Sequence, residues 1–179
     1  MSTVEFAPAA VPTPLKPRER ESEAWRVLGE VQDPEIPVLS VVDLGVIRRV
    51  HVAPSGALEV DLAPTYSGCP ASLVIRSSVV SALRAAGFDP ISVTEVLSPP
   101  WSSDWLSEAG RQKLKSYGIA PPAESVASPR ALWRAEPSVA CPRCDSHDTQ
   151  VTSQFGSTPC KALYRCNACL EPFEYFKCI

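Results

Sequence analysis

Four cysteines near the end of the chain have the spacing of a metal-binding ribbon. They form two C-x2-C pairs, Cys141 with Cys144 and Cys166 with Cys169, and 21 residues (145–165) separate the pairs. Two intervening residues allow both sulfurs of a pair to face one centre, and two pairs supply a tetrahedral set of four thiolates. The sequence therefore predicts that these cysteines bind one metal ion. Zinc is expected, and iron or an iron–sulfur cluster is the alternative, because both metals accept four sulfurs.

Disulfide bonds are the competing explanation for the cysteine pairs. Disulfides persist in oxidising compartments, and residues 1–17 lack the basic segment and the unbroken apolar run of an export signal. No apolar run approaches the roughly 18 residues that a membrane span requires. We therefore expect a soluble, cytoplasmic protein with reduced cysteines.

Two further cysteines in the tail, Cys160 and Cys178, exceed what one tetrahedral site can use. One interpretation makes them free, partly buried thiols that pack beside the aromatic residues of the tail, since cysteine favours interiors. The other makes them additional metal or redox ligands. The nearby run from Phe173 to Phe176 raises a related question, because at least one of its rings is hard to bury in so thin a domain. The run is either the ribbon's own core or a docking surface for a partner.

A seventh cysteine, Cys69, lies in the segment Thr65-Tyr66-Ser67-Gly68-Cys69-Pro70, directly before a predicted helix. Proline suits the first helical position, which would make Cys69 the N-cap and point free backbone N–H groups at its sulfur. Such a thiol is a good nucleophile or soft-metal ligand. The alternative is a small buried apolar residue.

Three carboxylates, Asp33, Glu35 and Asp43, lie beside rigid turns in the segments Asp-Pro-Glu-Ile-Pro and Asp-Leu-Gly. They are candidates to complete a site with Cys69. Residues of this kind also commonly cap helices and end turns, so both interpretations stay open.

The elements that must position these residues follow from the apolar pattern. Helices are predicted over 19–32, 70–86 and 104–117, the first of them stopped by Asp33-Pro34. The pattern predicts a β-hairpin with one solvent-exposed face over residues 46–52 and 57–62, and a third strand over 91–97. The fold class is therefore α+β or α/β, a small sheet covered by helices, followed by a small zinc ribbon with four cysteines.

The domain organisation follows from proline clusters and length. We expect a disordered N-terminus over 1–18, a main domain over 19–119, a proline-rich linker over 120–138 that holds the tail away, and a metal-binding domain over 139–179. A tail of 39 residues cannot bury enough apolar surface alone, which is a reason for it to need a metal. The formal net charge of −3 argues against a nucleic-acid partner.

The segments around Asp33, Asp43 and Cys69 together resemble the metal–sulfur cluster assembly family, whose members help to mature cytosolic iron–sulfur proteins. Two further segments, 100–105 and 155–178, resemble the family of D subunits of the bacterial phenylacetyl-CoA epoxidase system, and this second resemblance spans nearly the whole chain.

This second resemblance implies a role in aerobic phenylacetate catabolism. It implies an accessory component without catalysis of its own, which assembles or maintains the iron or iron–sulfur centres of a multicomponent oxygenase. The implied partners are the oxygenase and reductase subunits. By the first resemblance, Cys69 matches the reactive cysteine of the cluster assembly family, and Asp33, Glu35 and Asp43 match its acidic motifs. The alternative is a stoichiometric structural or electron-transfer subunit.

Overall fold

The first half of the chain forms a three-stranded sheet with two helices packed on it. The computed structural model describes residues 16–66, 68–122 and 138–177. The predicted disordered N-terminus up to residue 15, linker residues 123–137 and Cys178 lie outside the described residues. Strand β1 (Ile47–Val52) pairs antiparallel with β2 (Leu58–Leu62), and β2 pairs parallel with β3 (Ile91–Glu95). The predicted hairpin, third strand and fold class are confirmed.

Burial alternates along the central strand, which explains why one face of the sheet is covered. Leu58, Val60 and Leu62 of β2 are buried, whereas Glu59 and Asp61 remain partly exposed. Helices α1 (Pro17–Leu28) and α2 (Ser72–Ala85) place their apolar residues in the same core. Residues of this core from the two helices are Ala24, Val27, Leu28, Ile75, Val79 and Leu83.

Helix α1 ends at Leu28 and not at Asp33-Pro34 as the sequence predicts. The reason is a backbone pairing that the sequence does not reveal. The Val41 N–H donates to the Val31 carbonyl, and the Asp33 N–H donates to the Leu39 carbonyl, so this segment runs beside residues 39–41. The predicted third helix is also split, into a 3₁₀ turn (Ser103–Trp105) and α3 (Glu108–Tyr117).

The second half of the chain forms a four-stranded sheet in the order β4-β7-β6-β5. Strands β5 (Thr149–Ser153), β6 (Lys161–Cys166) and β7 (Pro172–Phe176) are antiparallel neighbours and make up the ribbon. Strand β4 (Ile119–Ala120) follows α3 directly and pairs parallel with β7. The sheet of the ribbon thus includes a strand that leads out of the first domain.

The ribbon packs against the first domain, so the expectation that a linker holds it away is wrong. Phe176 is 0% exposed and belongs to the core of the first domain, where its ring lies 6.0 Å from that of Trp101 in an edge-on arrangement. Phe173 and Tyr175 are buried in a second, smaller core inside the ribbon. The aromatic run therefore finds its partners within the same chain.

No helix within the described residues is long and apolar enough to cross a membrane.

Candidate functional site

The four ribbon cysteines converge as their spacing predicts. The sulfur atoms of Cys141 and Cys169 are 3.7 Å apart, those of Cys144 and Cys166 are 3.6 Å apart, and all four lie within 4.8 Å of one another. A tetrahedral ion with metal–sulfur bonds of about 2.3 Å needs sulfurs about 3.8 Å apart. The donor set and its dimensions therefore fit one metal ion.

Two similar turns position these cysteines. The residue after each pair, Asp145 or Leu170, has a positive φ of 58° or 65°, which bends the chain around the metal centre. Cys166 closes β6 and accepts a hydrogen bond at its sulfur from the Cys169 N–H. That hydrogen bond, opposed by burial, lowers the pKa of Cys166 to about 7, whereas in Cys144 and Cys169 a backbone hydrogen bond is outweighed by burial and the neighbouring sulfurs, which raise the pKa. A metal ion must therefore displace protons from some of the thiols when it binds.

A second group of candidate residues lines a small cavity beside the core of the first domain. Asp33, Glu35 and Cys69, three of the four residues proposed for the Cys69 site, all contribute to its lining. Its volume is about 20 Å³, enough for one water molecule or ion. Another residue of the lining, Cys160, comes from the ribbon.

Cys69 is not the N-cap of α2, contrary to the sequence prediction. The N-cap is Ala71, and the helix begins at Ser72. Pro70 and Ala71 instead form a turn in which the Cys69 carbonyl accepts from the Ser72 N–H at 3.1 Å. Because the thiol lies one turn before the helix, the helix N–H groups do not account for any reactivity it has. Its environment is set by the cavity and by the half-exposed surface there.

Burial makes the charged forms of the cavity's two carboxylates less favourable than they are in water. Burial raises the pKa of Asp33, although its Oδ1 accepts hydrogen bonds from the N–H groups of Ile36 at 2.7 Å and Glu35 at 2.8 Å. Burial and the charge of Asp33 also raise the pKa of Glu35. Lys161 acts against both shifts, but its ammonium is held 3.0 Å from Glu174. A cation in the cavity would therefore be attracted by two carboxylates that lack a close basic partner among the described residues.

Asp43 lies in a different environment from the other two acids. Its carboxylate accepts hydrogen bonds from the hydroxyls of Ser40 and Ser107 and forms an ion pair with Lys113. Partial burial raises the pKa of Asp43, and the hydrogen bonds from Lys113 and Ser40 outweigh this and lower it. Asp43 does not line the cavity and instead ties the loop before β1 to α3.

The sequence did not link Cys160 or Tyr66 to the Cys69 site. Cys160 is 4% exposed, packs in the core of the first domain, and has its sulfur 3.1 Å from the Thr158 hydroxyl. The Tyr66 hydroxyl is buried without a hydrogen-bond partner in the described part of the chain. Burial, and then the charge of Cys69, raises the pKa of Tyr66 to about 12. The position of Tyr66 in the Cys69 segment was the one signal in the sequence that could have assigned it to this site. No neighbouring residue in the sequence indicated that Cys160 belongs there.

Comparisons with known proteins match both halves of this architecture. A family model described as "Iron-sulfur cluster assembly protein" matches residues 21–97, and one described as "PaaD zinc beta ribbon domain" matches residues 125–177. A crystal structure of a domain of unknown function, DUF59, from Bacillus anthracis superposes with a TM-score of 0.51 at 27% identity, covering 55% of this chain and 93% of that one. The fold and the metal centre thus define a cluster-assembly domain joined to a four-cysteine ribbon.

Two relatives identify the family within this class of protein to which the chain belongs. The 1,2-phenylacetyl-CoA epoxidase D component from Escherichia coli (strain K12) is 45% identical over 157 residues, which cover 88% of this chain and 92% of the relative. The Fe-S protein maturation auxiliary factor SufT from Staphylococcus aureus (strain USA300) is 38% identical over 87 residues, 47% of this chain and 96% of the relative. The chain belongs to the family of phenylacetyl-CoA epoxidase D subunits, PaaD.

Proposed function

We propose that this protein is an accessory factor of a phenylacetyl-CoA epoxidase, which assembles or maintains the iron or iron–sulfur centres of that oxygenase. The observation that carries the proposal is the cavity, where the Cys69 thiol lies with the carboxylates of Asp33 and Glu35. A thiolate and two carboxylates attract a transition-metal cation, and Cys69 is accessible enough to receive it. On this proposal the metal is cargo, and the chain performs no chemistry on phenylacetyl-CoA.

The proposed step at Cys69 is a ligand exchange. The thiol loses its proton to solvent when its sulfur binds the incoming ion, and it regains a proton when the ion passes to a ligand of the oxygenase. The carboxylates of Asp33 and Glu35 offset the positive charge of the ion while it is held.

For the ribbon we propose zinc in a structural role. Four clustered cysteine sulfurs, which leave no open position on a tetrahedral ion, are typical of structural zinc sites. The metal would fix the two turns and hold β6 and β7 together, so the ribbon keeps its face against the first domain. Zinc supplies no redox chemistry, so electron transfer would have to come from other subunits.

The test is the iron content and activity of the epoxidase matured in cells with different versions of this protein. Cys69→Ser should lower both to the level seen without the protein, whereas Ser81→Ala, on the exposed side of α2, should leave both at the wild-type level. Normal iron content with Cys69→Ser would refute the role of the thiol.

The metal and acid-labile sulfide content of the protein, purified without oxygen, distinguishes the proposed function from the alternative of electron transfer. One zinc per chain without sulfide or colour agrees with the proposal. Iron with sulfide and a reducible visible spectrum would instead favour an electron-transfer role within the oxygenase complex.

A further inference from the structure

The cavity at Cys69 is closed by the ribbon. Cys160 comes directly before β6, yet its side chain packs into the core of the first domain together with Phe176. Both residues line the cavity that holds Asp33, Glu35 and Cys69. The lining of this cavity therefore contains one thiol from each half of the chain, separated widely in sequence.

Two hydroxyl groups near these thiols suggest that the site holds its cysteines as metal-bound thiolates. The Thr158 hydroxyl lies 3.1 Å from the Cys160 sulfur, and the buried Tyr66 hydroxyl lacks a hydrogen-bond partner within the described residues. The charges of Cys69, Glu35 and Cys160 all act on Tyr66, so this hydroxyl is near all three. A buried hydroxyl without a well-placed acceptor is unfavourable. A thiolate bound to a cation would accept a hydrogen bond from it better than a thiol does.

We propose that Cys160 is a second thiolate ligand of the metal ion handled at Cys69, so that the ion is bound between the two domains. The proposal rests on the proposed function and specifies its cargo as one divalent transition-metal ion, ferrous iron. Two thiolates with two carboxylates suit such an ion better than magnesium or calcium, which prefer oxygen ligands alone. A cavity of about 20 Å³ is large enough for one ion.

Binding requires at least one of the cavity's potential ligands to move. Within the described ranges, the four ribbon cysteines form the single group of three or more potential ligands whose atoms lie within 4.8 Å of one another, so no three of Asp33, Glu35, Cys69 and Cys160 are that close. Cys160 is fixed in a core, whereas Cys69 lies on a half-exposed turn after Gly68, which has a φ of +84°. We expect Cys69 to take the ion at the surface and carry it inward to Cys160. Each thiol releases its proton to solvent as it binds.

Cobalt(II) is a suitable probe, because zinc binds such sites more tightly and stays in the ribbon. The full-length zinc-loaded protein is titrated with one equivalent of Co²⁺ without oxygen. The wild-type protein should show thiolate-to-cobalt absorption in the near ultraviolet, and its cobalt X-ray absorption should show two sulfur neighbours at about 2.3 Å plus oxygen neighbours. This measurement needs no variant, so it does not depend on how a substitution in the core affects folding.

Variants then assign the two sulfurs. Cys69→Ser and Cys160→Ser should each halve the charge-transfer absorption and leave one sulfur neighbour, with the zinc content unchanged. Thr158→Val, which removes the hydroxyl beside Cys160 but no ligand, should keep both sulfurs. One sulfur in the wild-type protein, no bound cobalt, or an unchanged spectrum in Cys160→Ser would overturn the inference.

The inference and the proposed function can fail separately. A cobalt site with one sulfur, from Cys69, would remove Cys160 from the site and leave the maturation role intact. Normal iron in the epoxidase with Cys69→Ser would refute the maturation role, whatever the cobalt spectrum shows.

Discussion

Replacing Phe176 by alanine tests whether the ribbon and the first domain share a core. Phe176 is 0% exposed, lies on the last ribbon strand, and contacts Trp101 of the first domain. Removing a fully buried phenylalanine ring costs about 3–5 kcal/mol. With a urea m-value of about 2.5 kcal/mol/M, the unfolding midpoint should fall by about 1.5 M. Tryptophan fluorescence is a direct readout, since the indole of Trp101 loses its neighbour.

Phe155→Ala is the matched control, because it removes the same ring from the same ribbon. Phe155 is 67% exposed and mainly contacts the Lys177 ammonium, 4.7 Å from its ring centre, which is worth about 0.5–1 kcal/mol. Both variants should keep the ribbon's metal, since neither touches a cysteine ligand. Equal, small midpoint shifts for the two variants would refute the shared core.

Three further predictions concern the backbone, a buried charge and the metal. Gly45→Ala should destabilise the protein by more than about 2 kcal/mol. Gly45 has a φ of +71°, so alanine would bear the cost of a left-handed backbone, and its added Cβ would also clash with the Trp105 carbonyl. Gly56→Ala, with a φ of +86° and open space, should cost only about 1–2 kcal/mol, and comparable losses in chemical denaturation would contradict the clash. Asp33→Asn should keep the turn, because an amide oxygen can still accept from the same N–H groups, and should increase the free energy of unfolding at pH 7 while lowering epoxidase maturation. Because the folded-state pKa of Asp33 is raised, its ionisation opposes folding above the unfolded pKa of about 3.9, so the gain should vanish in urea titrations below that pH. Cys144→Ser, or chelation of the metal, should unfold the ribbon and abolish its β-sheet amide protection from exchange, and a protected ribbon without metal would show that the metal is dispensable.

The prediction of the fold from sequence succeeded where a local pattern determines an element. The alternation of Leu58, Val60 and Leu62 identifies β2, and the turn before it makes the hairpin. It failed at helix ends, which depend on distant partners. The end of α1 is set by pairing between residues 31–33 and 39–41, and the start of α2 by the turn at Cys69 to Ser72.

The sequence also overestimated the separation of the two domains. Proline content indicated a stiff spacer, but β4 passes directly from α3 into the sheet of the ribbon. The aromatic run looked too large for a thin ribbon, and that observation was sound. Its interpretation as a docking surface was incomplete, because the surface that buries Phe176 belongs to the same chain.

The sequence alone determined the ribbon's metal site, because the ligands in each C-x2-C pair are neighbours and their geometry depends on two short turns. Tertiary structure alone decided the composition of the cavity. It brought Asp33, Glu35 and Cys69 together, placed Asp43 with Lys113, and added Cys160 from the ribbon. The physical reason is that these contacts arise from packing the ribbon and the first domain around one core, and the energy of such packing depends on surfaces formed by residues far apart in the chain.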